Sequence, residues 1–145
     1  MKEISPERML EQFLELSEIL TGCKLDAEQG RAHLDRLLSA PLVPSISEVL
    51  KRFEKLPKRS LADVERKMVA DAKFRPTLCQ IVLLWYTSSL RDSESDPLVL
   101  RYGNEQAYFG GLVWRILGAH PPGLSGGYFG HWRYRPDNEP KGTLK

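Results

Sequence analysis

The chain has 145 residues, a length that predicts one domain able to bury a core without a metal or a disulfide. Hydrophobic residues make up 41% and charged residues 28% of it, which excludes wholesale disorder. The net charge is +2, so electrostatics alone favours neither general nucleic-acid binding nor adhesion to an anionic membrane. The longest apolar run, Ile81 to Tyr86, is far too short to cross a membrane.

The first half of the chain contains residues that typically begin and end short helices. Ser5, followed by proline, predicts the start of the first helix, and Gly22 predicts its end. Asp26 begins a capping-box pattern that opens a second helix, which stops before Pro41. His33 lies among charged residues of this helix, so we expect it at the surface.

Three further helices are expected between residues 45 and 90. A capping box at Ser45 opens one that Pro57 ends, and Ser60 opens the next. Another should run from Pro76 to Leu90, and because it is apolar on nearly all sides we expect it to be central. Its expected buried residues are Leu78, Ile81, Val82, Leu84 and Trp85.

The last third changes in character. Residues 91–97 are polar and predict a surface loop, and residues 104–117 have the spacing of a final helix. We therefore predict an all-α protein, with a bundle of five to six helices over residues 1–118. Residues 119–136 should form an irregular glycine- and aromatic-rich segment that packs on the bundle or on a partner, and residues 137–145 a frayed tail.

Few residues suggest a chemical site. Cys23 and Cys79 are interpreted as buried free thiols in preference to a disulfide. His120 and His131 flank a glycine-rich turn, but no third metal ligand, nucleophile or orienting acid accompanies them, so a structural role is favoured. The basic run of residues 51–59 is typical of a solvated helix face. No catalytic, cofactor-binding or metal-binding residues are predicted.

Aromatic residues are concentrated near the end of the chain. Eight of the 13 Phe, Trp and Tyr residues lie between Tyr102 and Tyr134. Such side chains bury large areas and are frequent at interface hot spots. Because no amphipathic helix is expected beyond Pro121, these rings must pack back on the helices or onto another protein, and residue chemistry leaves both alternatives open.

Four passages of the sequence resemble the small subunits of membrane-bound FAD-dependent sugar and polyol dehydrogenases, the sorbitol dehydrogenase small-subunit family. Fructose and glucose dehydrogenase small subunits are relatives of that family. The passages are Phe13–Ser17 with Leu20–Gly22, the helix from Leu25 to Leu38, Leu84–Thr87, and the closing set of Tyr102, Gln106–Tyr108, Gly127–Trp132 and Pro136. Ser88 stands where the family passage Trp-Tyr-Thr-Gly has glycine.

The resemblance implies an accessory role and no catalysis by this chain. In such complexes FAD and the catalytic histidine belong to a large flavoprotein subunit of the glucose-methanol-choline class, and a cytochrome c subunit can complete the complex. The small subunit binds the large one and helps it mature. The residues expected in a mixed core-and-interface set are Trp85, Tyr86, Tyr108, Trp114, Tyr128, Phe129, His131 and Trp132.

Two other functions stay open at this stage. One is a stand-alone helical ligand-binding domain or enzyme that uses the region of His120 and His131, and the other is a regulatory adaptor. Family members generally carry a twin-arginine export signal, and none is legible here. The chain as written is therefore expected in the cytoplasm, or in the periplasm if it is exported with a partner or a signal has been trimmed.

Overall fold

The computed structural model describes residues 4–91, 100–102 and 110–118, and these residues are mostly helical. The described part contains six α-helices, which confirms the predicted helical bundle. They are α1 (Pro6–Thr21), α2 (Ala27–Ser39), α3 (Ile46–Glu54), α4 (Leu61–Val64), α5 (Arg75–Thr87) and α6 (Leu112–Leu117). The predicted segments at residues 119–136 and 137–145 lie outside the described residues.

Two features interrupt the regular helices. The chain continues from α4 into a π-helical turn over Glu65–Val69. After α5, strand β1 (Ser89–Arg91) pairs antiparallel with strand β2 (Leu100–Tyr102), and Leu90 lies opposite Arg101. The sequence did not predict this short ladder, and Arg91, expected in a surface loop, is part of it.

Side-chain caps define the helix starts that the sequence predicted. The Ser5 hydroxyl accepts a hydrogen bond from the Arg8 amide, and the Asp26 carboxylate accepts one from the Gln29 amide. At Ser45 both halves of the capping box are present, since Glu48 also bonds the Ser45 amide. These local bonds set where each helix begins and therefore which faces meet in the core.

The core lies where α5 meets the helices around it. Helix α5 contacts α1, α2, α3, α6 and the π-helical turn, so the prediction that it is central is confirmed. Trp85 is 1% exposed and Ile81 and Leu84 are fully buried. From the other helices, the core receives Phe13, Leu16, Leu34, Leu37, Ile46, Val49, Leu50, Phe53, Val64, Met68 and Leu112.

Two predicted helix boundaries are wrong. Helix α5 ends at Thr87 and not at Leu90, because Ser88 adopts the left-handed conformation that ends a helix. Helix α6 begins only at Leu112, because Gly111 is extended and cannot continue a helix from residue 104. Residues 103–109 lie outside the described part.

Two burial predictions are also wrong. Both cysteines are free, as predicted, but Cys79 is exposed and Cys23 only half-buried. Val82 is half-buried, because it lines a side of α5 that no helix covers within residues 4–91, 100–102 and 110–118.

Candidate partner-binding groove

The structure separates the described members of the predicted interface set. Trp85 lies in the core, Tyr86 is half-buried at the surface of α5, and Trp114 is half-buried on α6. Successive residues of one helix point about 100° apart, which explains why Trp85 and Tyr86 face different surroundings. The other members, Tyr108, Tyr128, Phe129, His131 and Trp132, lie outside the described residues, as does His120.

Trp85 supports the core together with His33, which is fully buried and not at the surface as predicted. The His33 ring meets the Trp85 ring edge-on with 4.7 Å between centroids, and Phe13 stacks on Trp85 at 6.2 Å. The Gln29 amide nitrogen lies 3.3 Å from His33 Nε2 and also donates to the Gly110 carbonyl at 3.4 Å. This cluster joins α2 and α5 to the segment that leads into α6.

His33 is held in its neutral form. Burial, with a smaller effect from the positive charge of Arg36, lowers the pKa of His33 to about 4. Its Nε2 faces the Gln29 amide donor, and its Nδ1 is buried without a hydrogen-bond partner among the described residues. The one histidine in this part of the chain is therefore a core residue that no substrate can reach.

An apolar groove of about 490 Å³ runs along the outer side of α5. Leu78 is nearly buried at its base, while Cys79 and Leu61 are exposed and Leu61 retains 52% of its accessible surface. Concave surfaces lined by apolar side chains are places where proteins bind partners or ligands, so the groove is the candidate site of the described part. The groove residues are Leu20 of α1, Leu61, Glu65 and Val69 of α4 and the π-helical turn, and Arg75, Leu78, Cys79, Val82, Leu83 and Tyr86 of α5.

Arg75 fixes the geometry of the groove where its two walls join. Its Nε donates to the Val69 carbonyl at 2.8 Å and its Nη2 to the Ala70 carbonyl at 3.0 Å. These carbonyls end the π-helical turn and would otherwise have no helical partner. The guanidinium thus ties the end of one wall to the first residue of the other.

Glu65 is the acidic group of the groove. It is exposed, and no ion pair involves it within the described part of the chain. The nearby Arg75 already donates to two carbonyls. A carboxylate at the edge of an apolar surface therefore remains available to a basic group from outside.

Sequence reasoning missed most of this groove. Of its residues only Tyr86 was among the predicted interface set. A signal was present in α5, since a helix that is apolar all round has more apolar surface than its neighbours in a small bundle can cover. That pattern could not say which side of α5 stays open, because the π-helical turn that forms the opposite wall has no distinct sequence signature here.

Metal-ligating side chains are not clustered in the described part of the chain, where no group of three or more His, Cys, Asp and Glu side chains could hold a metal ion. The N-termini of α1, α2, α3 and α4 are capped by their own side chains, whereas those of α5 and α6 have no side-chain cap among the described residues. The groove is lined mainly by aliphatic side chains, and its arginine donates to two backbone carbonyls.

Across the described ranges, none of the helices combines the length and the hydropathy that a transmembrane span requires.

Comparison with known proteins identifies the family of the chain. The model of the family described as membrane-bound FAD-containing D-sorbitol dehydrogenase matches residues 2–108. The first three passages of the resemblance lie in this range, whereas Gly127–Trp132 lies beyond it. No curated protein and no solved structure matches the chain. Because the family match covers well over half of the 145 residues, the chain belongs to the family of FAD-containing sorbitol dehydrogenase subunits.

Proposed function

We propose that this chain is a non-catalytic small subunit that binds, stabilises and helps mature a large FAD-dependent sugar or alcohol oxidoreductase of the glucose-methanol-choline type. The family match is the observation that carries the proposal, because it associates the chain with FAD-containing dehydrogenases. The flavin is then expected on the partner subunit, and a cytochrome c subunit is a possible third component.

The chemistry of the described residues supports a binding role. Their one histidine is neutral and fully buried, and an apolar groove is open at the surface of the described part. A groove lined mainly by aliphatic side chains binds through area and shape, with Glu65 and Cys79 among its few polar groups. The side chains that the groove presents are therefore suited to another protein surface.

Stabilisation would follow from mass action. A subunit that binds the folded flavoprotein and not its unfolded chain stabilises the folded form by about 2.7 kcal/mol when its free concentration is 100 times Kd. An apoprotein kept folded has more time to acquire FAD. The small chain can therefore assist the maturation of the flavoprotein without catalysing a reaction itself.

Co-expression tests this function. A candidate large flavoprotein subunit is produced with and without this chain, and its soluble yield, flavin absorbance per polypeptide and dehydrogenase activity are measured. We expect all three to rise when the chain is present. Equal values in both preparations would disprove the accessory role.

A further inference from the structure

We propose that the groove along α5 is the docking site for an amphipathic helix of the flavoprotein subunit, which presents an apolar face to the groove and a basic side chain to Glu65. This inference rests on the proposed function and names the surface through which it operates. It assigns the principal contact to the helical body of the chain.

The shape of the groove favours a helix as its occupant. One wall carries Leu61, Glu65 and Val69, which are spaced four residues apart along α4 and the π-helical turn. The other carries Leu78, Val82 and Tyr86 at the same spacing on α5, a helix of 13 residues and thus about 20 Å long. A trough between two helices accepts the ridge of a third helix, with anchors at intervals of three or four residues.

A β-strand fits the same trough less well. A strand binds by adding to a sheet edge, where unpaired backbone groups are available. The groove residues all belong to helices, whose backbone groups are bonded internally. The groove therefore offers side-chain contacts along two walls and no backbone edge, which is the complement of a helix face.

The charge of Glu65 indicates which side chain the docking helix should carry. Glu65 has no ion pair in the described part of the chain, with Arg75 included, although Arg75 lines the same groove and directs two of its five N–H donors to the Val69 and Ala70 carbonyls. Covering the groove with an uncharged segment would remove water from the Glu65 carboxylate without compensation. A lysine or arginine on the docking helix supplies the missing partner.

The groove is also largely formed before binding. The Arg75 bonds hold the end of the π-helical turn against the start of α5, and Leu78 at the base is only 2% exposed. A surface that is already ordered loses little conformational entropy when a partner docks. Binding through this groove therefore does not require the small subunit to refold.

The first test is a matched pair of leucine substitutions in the full chain. Leu61 of the groove and Leu38 of α2 are 52% and 48% exposed, so neither aspartate is placed in the core, and circular dichroism checks that both variants fold. We expect Leu61→Asp to raise the Kd for the flavoprotein subunit about tenfold or more and Leu38→Asp to leave it within about twofold. Equal effects of the two variants would contradict docking in the groove.

The second test reverses the charge of Glu65. Glu65→Lys should weaken the complex about tenfold and Glu65→Gln by less, because lysine repels the proposed basic partner. Glu11→Lys is the control, since Glu11 is exposed on α1 outside the groove and changes the net charge equally. If Glu65→Lys binds as tightly as Glu11→Lys, the proposed basic contact is wrong.

The third test uses Cys79 as a reporter in a Cys23→Ser background. Because Cys79 is exposed in the groove, a maleimide should modify it quickly in the free chain and at least tenfold more slowly in the complex. A complex that forms while Cys79 reacts at its free rate would overturn the inference and leave the proposed function intact. Failure of any complex to form would instead count against the proposed function.

Two other occupants give distinguishable results. Protection of Cys79 that rises with the concentration of the isolated chain would show that a second copy fills the groove. Protection by a detergent monomer, with none by the flavoprotein subunit, would show that the groove takes a small amphiphile. Either result overturns the inference.

Discussion

At the scale of single residues, His33 shows how burial controls a titratable group. Its ring packs against Trp85, and its Nε2 faces the amide nitrogen of Gln29. Burial of the ring in this packed site, with a smaller effect from the positive charge of Arg36, is the reason for a pKa lowered to about 4.

This lowered pKa predicts acid sensitivity. The unfolded chain takes up a proton on His33 near pH 6.5, whereas the folded chain resists it until about pH 4. The contribution of His33 to stability is therefore complete above pH 6.5 and is lost as the pH falls to 4, by about 3 kcal/mol. Urea unfolding at several pH values, compared with His33→Gln, should show a shallower pH dependence for the variant. If the stability of both proteins depends on pH in the same way, His33 is not the source of the acid sensitivity.

Ser88 carries a backbone conformation that serine adopts rarely. Its φ is 57° and ψ 23°, in the left-handed region, and its carbonyl accepts a bond from Arg36 Nη1 at 2.9 Å. Its hydroxyl is buried without a hydrogen-bond partner among the described residues. Glycine at the matching position of the family passage is thus the residue that this backbone favours.

Replacing Ser88 should therefore stabilise the chain. Ser88→Gly removes the Cβ strain and the buried hydroxyl while the carbonyl bond to Arg36 is kept, so we expect a gain of about 1 kcal/mol. Ser88→Ala separates the two causes, because it removes the hydroxyl and keeps the Cβ. In thermal unfolding, the Tm of Ser88→Gly should be higher than that of Ser88→Ala. A Tm of Ser88→Gly below that of the natural chain would show that the backbone at Ser88 is not strained.

At the scale of secondary-structure elements, one buried hydrogen bond fixes the entry to α3. The Thr77 hydroxyl of α5 donates to the Pro44 carbonyl at 2.6 Å, and both residues are buried. Pro44 immediately precedes Ser45, the cap of α3. This contact therefore holds the start of one helix against the side of another.

Removing that hydroxyl should be costly. Thr77→Val keeps the shape of the side chain and leaves the Pro44 carbonyl buried without this donor, so we expect a loss of about 1–3 kcal/mol. Ser39→Ala is the control, because the exposed Ser39 hydroxyl bonds the Asp35 carbonyl one turn back in the same helix. Equal losses in chemical unfolding of the two variants would show that the Thr77 bond has no special role.

The helix starts could be predicted from sequence, while much of the packing could not. A cap such as Ser45 depends on a residue three positions away, so the signal lies within one short segment. The burial of His33 depends on how α2 meets α5, which no local pattern in a polar helix records. The ladder of β1 with β2 also joins segments that are separate in the sequence, and it includes Leu90, which was expected in a helix, and Arg91, which was expected in a loop.

The candidate groove was unpredictable for a related reason. Its walls come from α1, α4, the π-helical turn and α5, and the open side of α5 exists only because no described helix covers it. Sequence reasoning identified aromatic anchors by residue type and therefore selected Trp85, which the structure places in the core. Aliphatic residues such as Leu61 have no comparable signal, since an exposed leucine is ordinary at a protein surface.

At the scale of the whole molecule, the core and the family match both lie before the glycine- and aromatic-rich segment. The buried hydrophobic residues of the described part extend from Phe13 to Leu112, and the match ends at residue 108. Helix α6 then ends at Gly118, which adopts a left-handed conformation with φ 61°. From the extent of the family match and the change in composition after Gly118, we propose that residues 1–118 are the folding unit and that residues 119–136 contribute to partner binding.

A chain that stops after Gly118 tests this division. We expect it to keep its helical circular dichroism and one cooperative unfolding transition, because the core residues in the described part are all retained. We expect its affinity for the flavoprotein subunit to fall about tenfold, since the proposed contacts Tyr128, Phe129 and Trp132 are removed. The full-length double variant Tyr128→Ala with Trp132→Ala should reproduce that fall with unchanged circular dichroism. If the shortened chain is unfolded, the rings of Tyr128, Phe129 and Trp132 belong to the core. The weaker binding would then result from unfolding and not from the loss of contacts with the partner.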